Sequence, residues 1–97
     1  MEKKLEVTNV KIFMLKNEPD SKVKARASIV FNDCFRVSGI KVIEGEKGLF
    51  ASLPKYRDDD GNFWQTAAPL NREMYQTIQD EIVHAYVVKR STGIPAF

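Results

Sequence analysis

The first half of the chain alternates apolar and polar residues with a period of two, the pattern of a strand that buries one face. The alternation is clearest in residues 23–31, where the intervening positions include Lys24 and Arg26. The apolar positions are Val23, Ala25, Ala27, Ile29 and Phe31. Because successive side chains of a strand point to opposite faces, this segment predicts a strand with one buried face and one basic face.

Strands are also predicted on both sides of this segment. Residues 6–15 are rich in β-branched and aromatic residues and predict a first strand, which the turn-forming residues 17–21 end. Residues 34–43 have a similar composition and predict a third strand.

The connection between the second and third strands decides how they pair. A three-residue loop at 32–34 places Phe31 opposite Phe35. The same register places Ile29 opposite Val37. Both pairs join apolar residues, so this register is favoured over the one that a two-residue turn would impose.

Shorter strands and longer loops follow. Residues 44–48 predict a polar loop, and residues 49–53 predict a fourth strand that Pro54 ends. Residues 55–62 are expected to form an exposed loop. Residues 63–67 could pair back across that loop as a fifth strand.

One amphipathic helix is predicted after the strands. Asn71 is a good N-cap, because its side-chain oxygen can accept a hydrogen bond from a free backbone N–H. Glu73 suits the positive end of the helix dipole, Lys89 and Arg90 suit the negative end, and the glycine and proline in residues 93–95 end the pattern. The apolar stripe consists of Met74, Ile78, Ile82 and Ala85, with Tyr75 and Tyr86 beside it.

These elements predict an α+β fold in a single domain over residues 1–97, with residues 91–97 as a tail. The expected architecture is an antiparallel β-sheet of about five strands followed by one C-terminal covering α-helix, in the order β-β-β-β-β-α. Ile82, in the middle of the helical stripe, is expected to be buried. The core of so small a domain is thin, so we expect a homodimer that covers sheet edges.

The charge distribution adds a second hypothesis. The net charge is only +2, but residues 1–57 carry +5 and residues 58–97 carry −3. The basic excess therefore lies in the region that is predicted to form the sheet. It indicates either a face that binds a polyanion or lysines that keep an exposed sheet edge from aggregating.

The remaining composition favours a cytoplasmic protein. The N-terminus has a basic pair but no apolar stretch behind it, so no signal peptide is expected. No apolar run approaches the ~20 residues needed to cross a bilayer, so no membrane association is expected. The single cysteine, Cys34, cannot form an internal disulfide.

No catalytic or metal-binding constellation is present in the sequence. One cysteine and one histidine, His84, are too few for a zinc site. The acidic run Asp58–Asp60 before Gly61 fails the EF-hand spacing, and no P-loop or G-x-S-x-G motif occurs. We therefore expect no cofactor, no metal and no enzymatic activity.

Several segments nevertheless resemble a known family. They are Ile40–Gly45, Gly48–Pro54, Asp60–Gly61 with Phe63, and Ala67–Asn71. Together they resemble the SpoVG family, the stage V sporulation and septation regulators of bacteria. The Gly-Leu-Phe-to-Pro segment is the specific part, and the resemblance covers about residues 6–86.

The resemblance implies a dimeric sheet-plus-helix protein that binds DNA and RNA site-selectively and regulates transcription, septation and cell division rather than catalysing a reaction. The family usually has a Ser-Lys-Arg run, implicated in nucleic-acid contact, where this chain has Lys55-Tyr56-Arg57. The family's usual histidine is Ala68 here, and Trp64-Gln65 replaces charged residues.

Lys55, Tyr56 and Arg57 are therefore the candidate nucleic-acid-binding residues, with Lys41 and Lys47 nearby in sequence. Cations neutralise phosphates, and a tyrosine ring can stack on an unpaired base. The alternative is that the two cations only neutralise the adjacent aspartates. Trp64 is expected to serve packing or dimer contact rather than base stacking. A second functional hypothesis is a protein-interaction module of the same fold that binds a regulatory protein without binding nucleic acid.

Overall fold

Four antiparallel strands form the main sheet, in the spatial order β1-β2-β3-β4. The computed structural model describes residues 4–15 and 22–92. The strands of this sheet are β1 (Val7–Met14), β2 (Val23–Phe31), β3 (Phe35–Gly45) and β4 (Gly48–Ser52). They are followed by β5 (Lys55–Arg57), β6 (Phe63–Gln65) and the helix α1 (Arg72–Thr92). The predicted α+β class is confirmed, while the turn at 17–21 and the helix end at 93–95 lie outside the described residues.

The predicted register between β2 and β3 is confirmed. Phe31 pairs with Phe35, and Ile29 pairs with Val37. The connecting turn is closed by a 3.0 Å hydrogen bond from the Cys34 N–H to the Phe31 carbonyl. Its first two residues, Asn32 and Asp33, have φ angles of 52° and 56°, a left-handed conformation that Asn and Asp tolerate better than other non-glycine residues.

A bulge in β3 decides which of its side chains reach the core. The β2–β3 register shifts between Ala27 and Ile29, opposite Gly39, whose φ is 79°. Val37 and Ile40 would point to opposite faces of a regular strand, because they are an odd number of residues apart. The extra residue of the bulge brings both to the same side, where Ile40 is fully buried and Val37 packs against the core.

The core lies between one face of the main sheet and the helix. Ile82 is completely buried, as predicted, and Ile78 and Tyr86 are buried on the same stripe. Tyr75 instead remains 48% exposed and lies outside the stripe. The central strands contribute Ala25, Ala27, Ile29, Phe31, Ile40 and Val42, the outer strands contribute Ile12 and Ala51, and Leu53 follows β4.

Polar contacts fix both ends of the helix and its middle. The predicted N-cap is confirmed, because the Asn71 side-chain oxygen accepts a 2.7 Å hydrogen bond from the Met74 N–H. Gln79 is buried, and its amide donates to the Ala51 carbonyl at 2.7 Å and accepts from the Ala51 N–H at 2.8 Å. Gln79 thus supplies the hydrogen bonds that a further strand would give to the edge strand β4. Near the helix C-terminus, the Lys89 ammonium donates to the Ile12 carbonyl of β1.

The strand count differs from the sequence-based expectation of about five strands in one sheet. Residues 63–65 do pair back across the loop, but their partner is β5 rather than β4, and the two strands form a separate sheet. Lys55–Arg57 is therefore a strand and not part of a loop. Pro54 separates the two sheets, because it cannot donate a ladder hydrogen bond.

Candidate functional site

The β5–β6 hairpin carries the three predicted site residues next to two further aromatic residues. Tyr56 pairs with Trp64, and the two rings therefore lie side by side on one face of the hairpin. Lys55 and Arg57 alternate with Tyr56 and share the opposite face with Phe63, the partner of Arg57. Tyr56, Phe63 and Trp64 are 54%, 63% and 53% exposed, so about half or more of each side chain remains in solvent.

The tip of the hairpin is organised by one carboxylate. Asp58 Oδ1 accepts 2.9 Å hydrogen bonds from the N–H groups of Asp60 and Asn62. Asp58 Oδ2 accepts a 2.7 Å hydrogen bond from the Trp64 indole N–H. These hydrogen bonds hold the pKa of Asp58 below its usual value of 3.8, and the bond from Trp64 has the largest effect. The hydrogen bond to Trp64 restrains that side chain while leaving half of it in solvent.

The two hairpin cations contact hairpin residues other than Asp58. The Lys55 ammonium lies 5.3 Å from the centre of the Phe63 ring, a cation–π arrangement. The Arg57 guanidinium lies against Gly61, with Nη2 3.4 Å from the position that a Cβ on this glycine would occupy. Asp58 accepts hydrogen bonds from Trp64 and from backbone N–H groups, and the contacts of Lys55 and Arg57 are with Phe63 and Gly61 rather than with Asp58.

The other two predicted site residues lie on the main sheet and are far from each other. Lys41 pairs with Ser52 near the start of the hairpin segment, and Lys47 lies in the β3–β4 turn beyond the Gly45–Gly48 pair. Lys41 lies four residues before Gly45 along β3, which corresponds to about 13 Å, and Lys47 lies beyond Gly45 in the turn. The structure therefore brings Lys41, but not Lys47, towards the hairpin.

The open face of the main sheet carries two cations beyond Arg26 and Lys41, the two that the sequence pattern had already indicated. Strand alternation places Lys11, Arg26, Arg36 and Lys41 opposite the core-facing side of the sheet. All four are exposed. The alternation of β2 predicted such a basic face, and extending the same register to β1 and β3 would have identified Lys11 and Arg36.

An apolar groove lies on the opposite side of the molecule, between the β2–β3 turn and the start of the helix. It has a volume of about 990 Å³ and is lined in part by Phe35, Leu5 and Leu70. Leu70 is 96% exposed, and Phe35 is 58% exposed. Ala68 also lines this groove and not the hairpin.

The described residues contain no cluster of side chains that could ligate a metal ion. Across residues 4–15 and 22–92, no group of three or more His, Cys, Asp or Glu side chains could hold a metal ion. Cys34 and His84 are both exposed and lie on different elements. Within these same ranges, no helix has the length and apolar character needed to span a membrane.

These elements define a small α+β domain in which a helix covers one face of an antiparallel sheet. A separate exposed hairpin carries basic and aromatic side chains. The chain belongs to the SpoVG family, whose model matches residues 5–88.

Among its curated relatives is a protein of Symbiobacterium thermophilum, 40% identical over 93% of this chain and 63% of the relative's length. A protein of Caldicellulosiruptor saccharolyticus is 37% identical over 92% of this chain and 99% of its own length. One from Archaeoglobus fulgidus is 43% identical over 84% of this chain and 93% of its own length. All three are named "Putative septation protein SpoVG".

Proposed function

We propose that this protein is a site-selective, nucleic-acid-binding regulator of septation that acts in the cytoplasm as a homodimer, with the β5–β6 hairpin as its contact. Membership of the SpoVG family supports a role in septation. The observation that carries the nucleic-acid proposal is the hairpin itself, which presents Lys55 and Arg57 on one face and two exposed aromatic rings on the other.

The two faces of the hairpin suit the two parts of a nucleotide. Lys55 and Arg57 can neutralise phosphates, which gives affinity without reading sequence. Tyr56 and Trp64 can stack on unpaired bases, because every base has an aromatic face. Trp64 thus joins the proposed site, in contrast to the role in packing or dimer contact expected from the sequence. A paired base offers no free ring face, so the hairpin favours single-stranded or distorted targets over intact duplex.

Dimerisation would double this contact surface. The apolar groove with its exposed Phe35 and Leu70 supports association of two copies, since apolar surface of this kind gains by being covered. Two hairpins then present four cations. Four phosphate contacts contribute about −2.8 to the log–log slope of affinity against salt on single strands, and about −3.6 on duplex DNA. Light scattering at micromolar protein tests the dimer, and a species that stays at 11.1 kDa would exclude it.

The test of the hairpin is the salt dependence of oligonucleotide binding by the variant Lys55→Ala/Arg57→Ala. Loss of both cations should flatten the slope and weaken binding to all sequences alike. Its matched control is Arg72→Ala/Arg90→Ala, which removes the same charge from exposed positions on the helix. Equal binding and slope in the hairpin variant and the wild type would exclude the hairpin as the site.

The aromatic face is tested separately by Tyr56→Ala. Stacking on one base contributes ~1–3 kcal/mol, so this variant should lose that much on single strands and much less on duplex. An equal loss on both would argue against stacking.

The same measurements decide the alternative function. A protein-interaction module of this fold would show no salt-dependent binding of any oligonucleotide, and the apolar groove would then be the leading partner site. Co-purification from cells, followed by identification of bound protein and nucleic acid, would name that partner.

A further inference from the structure

The open face of the main sheet brings together four cations without a carboxylate among them. Lys11, Arg26, Arg36 and Lys41 come from three adjacent strands, β1, β2 and β3. Among the described strand residues, the only acidic side chain is that of Glu44, which pairs with Leu49. Leu49 packs against the core, so Glu44 projects from the helix side of the sheet rather than from the open face.

Two of these cations are held directly opposite each other. Arg26 on β2 pairs with Lys41 on β3. Adjacent strands are only about 4.8 Å apart, and like charges directly opposite in an antiparallel pair destabilise it. The sheet therefore carries a local electrostatic cost that a bound polyanion would remove.

Apolar rings lie among the cations. Phe13 pairs with Arg26, so one row across the sheet runs from an aromatic ring to two cations. Phe50 on β4 also lies on the open face, because its neighbour Ala51 points into the core and successive side chains of a strand point to opposite faces. Phe13 and Phe50 are 50% and 41% exposed. A depression of about 350 Å³ lies beside Phe13, between Arg26 and Arg36.

The open face is also continuous with the hairpin. Pro54, the residue before β5, packs over Gly39 of the bulge, where a Cβ would lie 3.7 Å from the Pro54 Cβ. Gly39 itself lines the depression on the open face. Arg26 and Arg36 are about 13 Å apart along the strand direction, four pairing steps, so the cations cover a path several nucleotides long.

We propose that the open face of the β1–β4 sheet is a second nucleic-acid contact, over which a single strand passes after leaving the hairpin. Its phosphates contact Lys11, Arg26, Arg36 and Lys41, and unpaired bases stack on Phe13 and Phe50. The proposal rests on the proposed function, because the hairpin supplies the first contact. An antiparallel sheet with exposed aromatic rings is a surface on which single-stranded RNA is bound in other folds, which supports the choice of occupant by analogy.

The charge of the face argues against its other occupants. A second copy docked face to face would bring eight cations together with no carboxylate between them. A duplex cannot place its paired bases against Phe13 or Phe50. A single strand supplies negative charge for the four cations and unpaired bases that can stack on Phe13 and Phe50.

The test is fluorescence anisotropy of the full-length chain with a labelled oligothymidine of about 12 nucleotides, within the usual range of single-strand sites, over a series of salt concentrations. Arg26→Ala/Lys41→Ala should flatten the salt slope by about 1.4 for each bound protomer, at about 0.7 per lost phosphate contact. Because this variant removes a like-charge pair, its thermal midpoint should equal or exceed that of the wild type.

Two further variants keep the outcome unambiguous. Arg72→Ala/Arg90→Ala removes the same charge from the helix and should leave the slope nearly unchanged. Phe13→Ala should weaken binding of the single strand about 5- to 150-fold, the range for loss of one stacked base, with less effect on a duplex of the same sequence. Oligouridine in place of oligothymidine distinguishes RNA from DNA.

The possible failures are distinguishable. If the hairpin variant loses binding while Arg26→Ala/Lys41→Ala binds with unchanged affinity and slope, the second contact is excluded and the hairpin stands. If the wild type binds neither probe, both proposals fall. An equal loss in the helix control would show that only net charge matters, and a change of molecular mass in the Arg26→Ala/Lys41→Ala variant would assign the face to self-association. Either result overturns the proposal.

Discussion

The helix-backed sheet and the β5–β6 hairpin are stabilised in different ways. In the first, a whole helical stripe and one face of four strands are buried against each other, with Ile82 and Ile40 fully removed from solvent. In the hairpin all six strand residues are exposed, three of them aromatic. Its order comes from backbone pairing and from the hydrogen bonds that converge on Asp58.

This difference separates residues that maintain the fold from residues that are free to contact a partner. A two-stranded hairpin alone is only marginally stable in water. The aromatic side chains stay more than half exposed, so burial of apolar surface contributes less to this element than to the sheet–helix body. Substitutions of buried residues in the sheet–helix body should therefore change stability, and substitutions in the hairpin should change binding with little effect on stability.

The largest expected effect is that of Ile82→Ala. This residue is completely buried at the centre of the interface, so its truncation should lower the free energy of unfolding by ~2–5 kcal/mol. Chemical denaturation followed by circular dichroism measures the change. Val88→Ala is the matched control on the same helix, 46% exposed, and should change stability by less than ~0.5 kcal/mol. A loss below ~1 kcal/mol for Ile82→Ala would contradict the packing of the helix on the sheet.

A smaller effect is expected for Gln79→Leu. The substitution keeps an apolar side chain in the interface but leaves the N–H and carbonyl of Ala51 without the two hydrogen bonds that they now make. Unsatisfied buried backbone groups should lower the free energy of unfolding by ~1–3 kcal/mol.

The control is Gln76→Leu, since Gln76 donates only to Asp80 on the exposed face of the helix. Amide hydrogen exchange should also accelerate in β4 for Gln79→Leu alone. Equal stability of the two variants would show that Gln79 does not support the edge strand.

The smallest effect on overall stability is expected from protonation of Asp58. Its pKa is lowered in the folded hairpin, so the folded state favours the carboxylate. The resulting stabilisation is present above the ordinary pKa of 3.8 and is lost as the pH falls through the lowered value.

Fluorescence of Trp64, the single tryptophan, should report this local transition when the pH is lowered from neutral to below 3.8. Asp58→Asn removes the titrating group and should remove the transition, while unfolding of the body is unchanged. A transition that persists in Asp58→Asn would assign the signal to another group.

The sequence predicted the sheet–helix body well because its signals are local and periodic. Alternation in residues 23–31 and the pairing of apolar residues across the turn sufficed to place Phe31 opposite Phe35. The helix stripe and its N-cap followed from side-chain spacing and from the capping preference of Asn71. Tyr75 and Tyr86 were both predicted beside the stripe, but only Tyr86 is buried, because a flanking residue can lie on either side of the edge of the interface.

The separate hairpin could not be predicted in the same way. Residues 55–57 and 63–65 are each too short for a period to be seen, and none of them is buried. The bulge at Gly39 was missed because it depends on the register of two strands rather than on one segment. The clustering of Lys11, Arg26, Arg36 and Lys41 also required the strand order and all the registers together.

The most direct test of the division between body and hairpin is backbone NMR of the wild-type protein titrated with a single-stranded oligonucleotide. We expect the amide signals of residues 55–57 and 63–65, together with the Trp64 indole N–H, to shift with increasing ligand. Signals of the exposed side of the helix and of the apolar groove around Leu70 should stay in place. Shifts confined to the helix or to the groove, with the hairpin unchanged, would contradict the assignment of binding to the hairpin.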